Sequence, residues 1–283
     1  MDNKKITTAR LSIFSNTFLI LMKVIVGFVS ASVSIISEAI HSGIDLFASV
    51  IAYFSLRISD KPADKKHPYG HGKFENVSGV VEAILIFIAA IWIIYEAVKR
   101  LMEGESEIKS YALAVIIMFV SASVNFIVSR LLYKTAKQTD SIALEADALH
   151  LKTDVYTSLG VGVGLFVIWL TKINILDSII AIMVALLIIK EAFDLLKRAY
   201  SPLVDASLSD KEMQIIKDIL SEYSFSYHDL KTRKSGSYRF ADIHIELPGN
   251  MELKSVHDIC DEIEEKITHK LDHIQINIHV EPV

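Results

Sequence analysis

The chain has 283 residues, a formal net charge of −5 and a hydrophobic content of 52%, above the roughly 45–50% apolar share of soluble domains. Mean hydropathy is +0.40 and the apolar residues gather in long runs over the first two hundred positions, so composition points to a membrane protein. The modest acidic balance gives no support to a nucleic-acid partner, and the one cysteine, Cys260, excludes an intramolecular disulfide or a multi-cysteine zinc knuckle within one chain.

The opening "MDNKKITTAR" leads into an apolar run of span length with no small-residue cleavage site behind it, so the run is read as a retained first span. Runs lie at about 11–33, 36–58, 78–101, 110–134, 141–170 and 175–198, each long enough to cross roughly 30 Å of hydrocarbon as a helix. Six crossings put both termini on one side. Lys4, Lys5 and Arg10 precede the first run, Arg57, Lys61, Lys65, Lys66 and Lys73 join the second to the third, and Arg130, Lys134 and Lys137 join the fourth to the fifth. The opposite ends carry little beyond Lys99, Arg100, Lys109 and Lys172. The positive-inside rule therefore places both termini in the cytoplasm.

Pro202 ends the last run, and the composition then becomes that of a small soluble domain. The pattern predicts an amphipathic helix over 209–222 opened by Ser209 or Asp210, strands over 226–234 and 238–247, a helix over 252–271, and a final strand, "HIQINIHV". The expected fold is a membrane all-α six-helix transmembrane bundle, 1–204, plus a C-terminal soluble α+β domain, 205–283. Its αββαβ order is ferredoxin-like or metallochaperone-like, with two helices on one face of a three-stranded sheet. Alternation sets Ile243, Ile245 and Leu247 against Asp242, His244 and Glu246, and sets Ile274, Ile276, Ile278 and Val280 against His273, Gln275, Asn277, His279 and Glu281. One sheet face is thus apolar and the other rich in metal-ligand types.

An acid-x2-His-x3-Asp-x3-Ser pattern occurs twice, as Glu38, His41, Asp45 and Ser49 in the second run and as Asp147, His150, Asp154 and Ser158 in the fifth. The four-residue spacing stacks His and Asp on one helix face, and two such helices facing each other present two imidazoles and two carboxylates to one point. That set suits tetrahedral coordination of zinc or a similar divalent ion, and with neutral imidazoles the loaded site carries no net charge. The competing reading, histidines that only hydrogen-bond between helices, is weaker because the pattern repeats.

Two further clusters are ambiguous taken alone. Asp64, His67 and His71 in "ADKKHPYGHGKFE" have the spacing of a three-ligand site, in a segment that also reads as an ordinary solvated loop. His228, His244, His257, His279 and Glu281 in the tail are metal ligands or plain surface groups, whereas His269 and His273 straddle a helix end and are read as surface. Lys152 points about 200° away from His150 on a helix and need not repel a metal; Lys23, Lys190 and Glu191 carry no assigned role.

Taken together, the six runs, the paired His/Asp motifs, "HPYGHGKFE", and a tail holding "HDLKTRKSG" and "HVEP" resemble the cation diffusion facilitator family across essentially the whole chain. The resemblance implies a homodimeric, non-enzymatic exporter of divalent metal, exchanging metal for protons across the lipid bilayer by alternating access. It implies a transport site of His41, Asp45, His150 and Asp154, a loop site of Asp64, His67 and His71, and a cytoplasmic binuclear site of His228, His244, His257, His279 and Glu281. It also implies a charge interlock between Lys73 and Asp205. Zn²⁺ is the expected substrate and regulatory ligand, with Mn²⁺, Fe²⁺, Cd²⁺ and Co²⁺ as alternatives. His41 stands where some bacterial relatives carry Asp, and Glu281 where Asp is common. The short loops point to a prokaryotic inner membrane.

Rival classes account for fewer of these residues. A membrane metalloenzyme would need an open coordination position and a base; the sequence contains no His-Glu-x-x-His motif, and four inward protein ligands would leave no room for a catalytic water. A membrane-anchored sensor or scaffold has no need of the paired motifs in the second and fifth runs.

Overall fold

In the computed structural model the described residues are 2–29, 33–103, 111–171 and 175–283, with the side chains of some helical residues, His41 and Ser158 among them, outside the described set. Long helices run over Asp2–Val29 (α1), Val33–Ser59 (α2), Lys73–Glu103 (α3), Tyr111–Thr139 (α4), Ile142–Thr171 (α5) and Ile175–Tyr200 (α6). α3 starts about five residues before its apolar run and α4 ends about five after its own. The added segments, such as "TAKQT" at the end of α4, are polar but include good helix formers, Ala136, Lys137 and Gln138, so the backbone ladder continues after the apolar composition stops. By length and composition alone, Lys4–Val26 and Lys73–Lys99 are apolar enough to cross a membrane.

The helices pack chiefly as α1 with α2, α4 with α5, and α3 with α6, and α5 also meets α2, α3 and α6. Small residues line these contacts: Ala48, Ala52, Ala83, Ala90, Ala143, Ala146, Ala185 and Ala192 are all fully buried, and side chains of that size let helix backbones approach closely. Large apolar side chains face outward instead. Phe14, Phe18, Leu21, Ile25 and Phe28 recur at helical spacing along α1, and Val77, Val81, Ile84, Ile88, Ile91 and Tyr95 along α3.

A 3₁₀ turn at Ser201–Val204 contains Pro202 and closes on Asp205, whose left-handed backbone (φ 55°) turns the chain into the tail. There α7 (Asp210–Leu220), β1 (Tyr227–Ser235), β2 (Tyr238–Leu247), α8 (Leu253–Lys270) and β3 (Ile274–Pro282) follow in order. β1 pairs antiparallel with β2, β2 parallel with β3, and the sheet order is β1-β2-β3. Ile243, Ile245 and Leu247 form a core with Ile216, Leu220, Ile263 and Ile267 of the two helices. α7 opens on a capping box: the Ser209 hydroxyl accepts from the Glu212 N–H, and the Glu212 carboxylate accepts from the Ser209 N–H.

The β1–β2 hairpin tip is docked on the bundle. The Gly236 N–H donates to Asn76 Oδ1 at 2.9 Å, Lys234 and Arg239 both reach Asp140 in the α4–α5 turn, and the guanidinium of Arg233 lies 4.4 Å from the Tyr69 ring centroid. Gly72 faces the tip so closely that a Cβ on it would lie 2.2 Å from the Ser235 carbonyl oxygen, while Gly236 holds φ +59°. Gly72→Ala is therefore expected to lift the hairpin off the bundle, since both clashing partners are backbone. Hydrogen exchange at the Gly236 amide checks this; protection equal to wild type would refute the docking.

Glu212 also ties the tail together, accepting from Arg239 Nε at 2.6 Å. Burial works against its charge, but hydrogen bonds from Ser209 and Arg239 outweigh it and hold the carboxyl below its usual 4.5. A depressed folded value stabilises above the unfolded one and is lost as pH falls through the folded one. The tail is thus expected to melt at lower temperature below about pH 4.5, with a shallower acid slope in Glu212→Gln.

Candidate metal centres

Among the described residues, three His/Asp/Glu groups bring their ligand atoms within 4.8 Å of one another: Asp45 with His150 and Asp154, Asp64 with His67 and His71, and His228 with His244 and Glu281. The first lies within the helix bundle. His150 Nε2 is 2.9 Å from Asp45 Oδ1, linking α5 to α2, and both residues are buried, at 6% and 4% exposure. Asn125 of α4 donates to Asp154 Oδ2 at 3.2 Å. The side chain of His41, one helical turn before Asp45, lies outside the described residues. What is present is two carboxylates and an imidazole converging between helices, a donor set suited to a divalent cation.

A polar shell backs this group. Ser49 donates to Asp147 Oδ1 at 2.9 Å, Asn16 Nδ2 donates to Ser49 Oγ at 2.8 Å, and the Ser12 and Ser49 hydroxyls are 3.0 Å apart. The Ser49 and Asp147 members of the repeated motif are thus bonded to each other across α2 and α5. Ser12, Asn16 and Asn125 were not legible as site residues; an isolated polar group within an apolar run was their only signal. Lys152 turns away from His150 and pairs with Glu191 of α6 at 3.2 Å, and Lys23 donates to Ser42 Oγ at 2.7 Å.

The loop group precedes α3. Asp64 Oδ1 accepts from the His67 and Lys66 N–H groups at 2.7 and 2.8 Å, and its other oxygen is 3.4 Å from His71 Nε2. The backbone N–H of His67, with that of Lys66 and the His67 ring, holds the Asp64 carboxyl below its usual range against the opposing effect of desolvation. The His67 and His71 ring centroids are 4.4 Å apart.

In the tail, the register sets His228 opposite His244, His244 opposite His279 and Glu246 opposite Glu281. His244 Nδ1 is 3.1 Å from Glu281 Oε1, His228 Nε2 is 3.5 Å from Glu281 Oε2, and His279 Nε2 is 3.8 Å from Glu281 Oε1. A bulge between His228 and Lys231 sets Asp229 in a left-handed conformation, which brings its carboxylate 4.0 Å from His244 Nε2. His257 is not gathered here: it is exposed on α8 and faces Asp261 one turn on at 3.6 Å. Strand pairing aligns the other ligands, and a helix residue is outside that register. Lys73 Nζ meets Asp205 Oδ1 at 2.9 Å, with Arg233 3.7 Å away; the Lys73 hydrogen bond holds the Asp205 carboxyl below its usual range.

Residues 9–204 match the family model of the cation efflux transmembrane domain, and residues 208–283 that of the cation efflux protein cytoplasmic domain. The chain belongs to the cation efflux, or cation diffusion facilitator, family. It is 34% identical to an uncharacterized transporter of Synechocystis sp., over 90% of this chain and 83% of that protein. It is 29% identical to the cation-efflux pump FieF of Shewanella oneidensis, over 97% of this chain and 93% of the pump. Among solved structures, the metal-bound C-terminal domain of the CzcD transporter from Thermotoga maritima is 26% identical, covering 26% of this chain and 94% of that domain with a TM-score of 0.25. This cation efflux protein is accordingly a membrane transporter of divalent cations and not an enzyme, with a helical transport domain followed by a domain built on a small sheet.

Proposed function

We propose that the chain is a Zn²⁺/H⁺ antiporter that exports zinc from the cytoplasm by alternating access as a homodimer. The observation that carries this reading is the convergence of the buried Asp45 and His150 with the half-buried Asp154 between α2 and α5. With His41 as fourth ligand, the set binds a divalent ion without net charge, which keeps the cost of burying it low. Zinc needs neutral imidazole and ionised carboxylate, so protons compete for the same atoms, and an unperturbed histidine titrates near pH 6.5. A site that binds zinc when open to the cytoplasm and protons when open outward moves the two in opposite directions.

The remaining features fit the same scheme. Six spans over residues 1–204 would put both termini on one side, the basic residues at that end of the spans favour the cytoplasm, and the outward apolar stripes of α1 and α3 meet lipid or the second protomer. Residues 205–283 form the dimerisation and metal-sensing domain, with zinc as regulatory ligand at His228, His244, His279 and Glu281. The Lys73–Asp205 pair acts as the interlock between the two domains. The host is a prokaryotic inner membrane.

Everted membrane vesicles from expressing cells test the scheme. Respiration-driven acidification of the lumen is expected to drive zinc uptake that nigericin collapses, with Mn²⁺, Fe²⁺, Cd²⁺ and Co²⁺ run in parallel to rank the metals. Zinc uptake indifferent to nigericin would remove proton exchange from the account.

A further inference from the structure

Two carboxylates beside the proposed transport site have no assigned task. Glu82 of α3 and Asp147 of α5 are both fully buried, at 0% exposure. Glu82 Oε1 accepts one long hydrogen bond, from Ser78 Oγ at 3.3 Å. Its Oε2, and Oδ2 of Asp147, have no hydrogen-bond partner among the described residues. Ala83 and Ile86 of α3 share one packed cluster with Ala146 and Leu149 of α5, which sets Glu82 toward the stretch of α5 that carries Asp147 and His150, and both of these interact electrostatically with it.

A fully buried carboxylate with one bare oxygen is costly as an anion and far less so as a neutral acid. Without metal, the described carboxylates in this part of the bundle include Asp45 and Asp154, which converge on His150, together with Asp147 and Glu82. Among the described residues the bases nearby include His150, whose Nε2 is engaged by Asp45, and the buried Lys23, which donates to Ser42 three residues before Asp45. A divalent ion at Asp45, His150 and Asp154 changes that balance, because its charge favours the ionised form of each nearby carboxylate. Metal binding and protonation of Glu82 therefore oppose each other across space, without Glu82 touching the metal.

We propose that Glu82 carries an exchanged proton, held beside Asp147 and outside the metal ligand set. The Glu82 acid releases its proton to cytoplasmic water as metal enters the site, and the carboxylate regains one from the opposite side as metal leaves. No electrons move and no bond other than O–H breaks or forms. This assignment rests on the antiport reading and deepens it by separating a proton-carrying group from the metal ligands.

The test titrates zinc into the purified full-length protein in weakly buffered detergent with a pH indicator, counting bound metal and released protons together. Asp154→Ala, which keeps the loop and tail groups, gives the background release. Glu82→Gln and the uncharged Glu82→Met are both expected to bind as much zinc as wild type while releasing about one proton fewer per transport-site ion, and Glu82→Asp is expected to restore the release. Proton release equal to wild type in Glu82→Gln or Glu82→Met would overturn the proposal, as would loss of transport-site zinc in either variant, which would make Glu82 a ligand or a support for one. Equal release from wild type and Asp154→Ala would instead overturn proton exchange at this site altogether, and the role of Glu82 with it.

Discussion

Asp45→Asn is expected to abolish metal flux while leaving the helix bundle intact. Asparagine is nearly the same size as aspartate and still accepts a hydrogen bond from His150 Nε2, so the 2.9 Å link between α2 and α5 can survive. It lacks the charge that holds a divalent ion. Removing groups that merely support metal ligands costs roughly 10–100-fold in affinity, so loss of a direct ligand is expected to cost on the order of 100-fold or more. The same variant separates the two readings of the paired motifs. If His150 and Asp45 serve only to join helices, Asp45→Asn transports normally, and metal flux within twofold of wild type would sink the assignment.

Glu75→Ala is expected to give the largest loss of stability in the bundle. Glu75 is 1% exposed and Lys5 4%, and their 3.0 Å contact ties α1 to α3. The same carboxylate accepts from Ser59 at the end of α2, at 3.1 Å, and from Ser141 just ahead of α5. Four elements thus converge on one side chain at the end of the bundle nearest the tail. Taking away one partner of a buried pair leaves the other charged and unsolvated, at a cost of about 3–5 kcal/mol. Replacing both with apolar residues removes that penalty, so Lys5→Met is expected to recover most of the stability lost in Glu75→Ala. Melting temperatures of the two single variants and the double variant form the cycle that checks this. Additive losses would mean the pair is not energetically coupled.

Local chemistry explains what could be read from the sequence. The tail elements lie within one or two residues of the alternating stretches from which they were expected, because one sheet face is buried and period-2 patterning fixes which residues face it. The repeat in the second and fifth runs identified residues that the fold brings together, since helical spacing alone aligns His150 with Asp154. Contacts between distant segments had no such signal. Asn125 meets Asp154, Asn16 meets Ser49, and Gly236 meets Asn76, each across a tertiary packing that no local period encodes. His257, expected in the tail set, lies on α8 outside the strand register and faces Asp261 within its own chain. Glu75 and Glu82 were hidden for a related reason. Glu75, near the start of α3, reads as a solvent-facing end until the helices beside it are known, and Glu82 lies inside the third apolar run with no repeated motif to mark it.

Zinc flux into proteoliposomes containing the purified chain, with an imposed pH gradient, tests the central claim most directly when wild type is compared with Asp154→Ala. The account predicts zinc accumulation that follows the gradient in wild type and is absent in Asp154→Ala. Zinc that binds but never moves, or that moves equally in the variant, would contradict it.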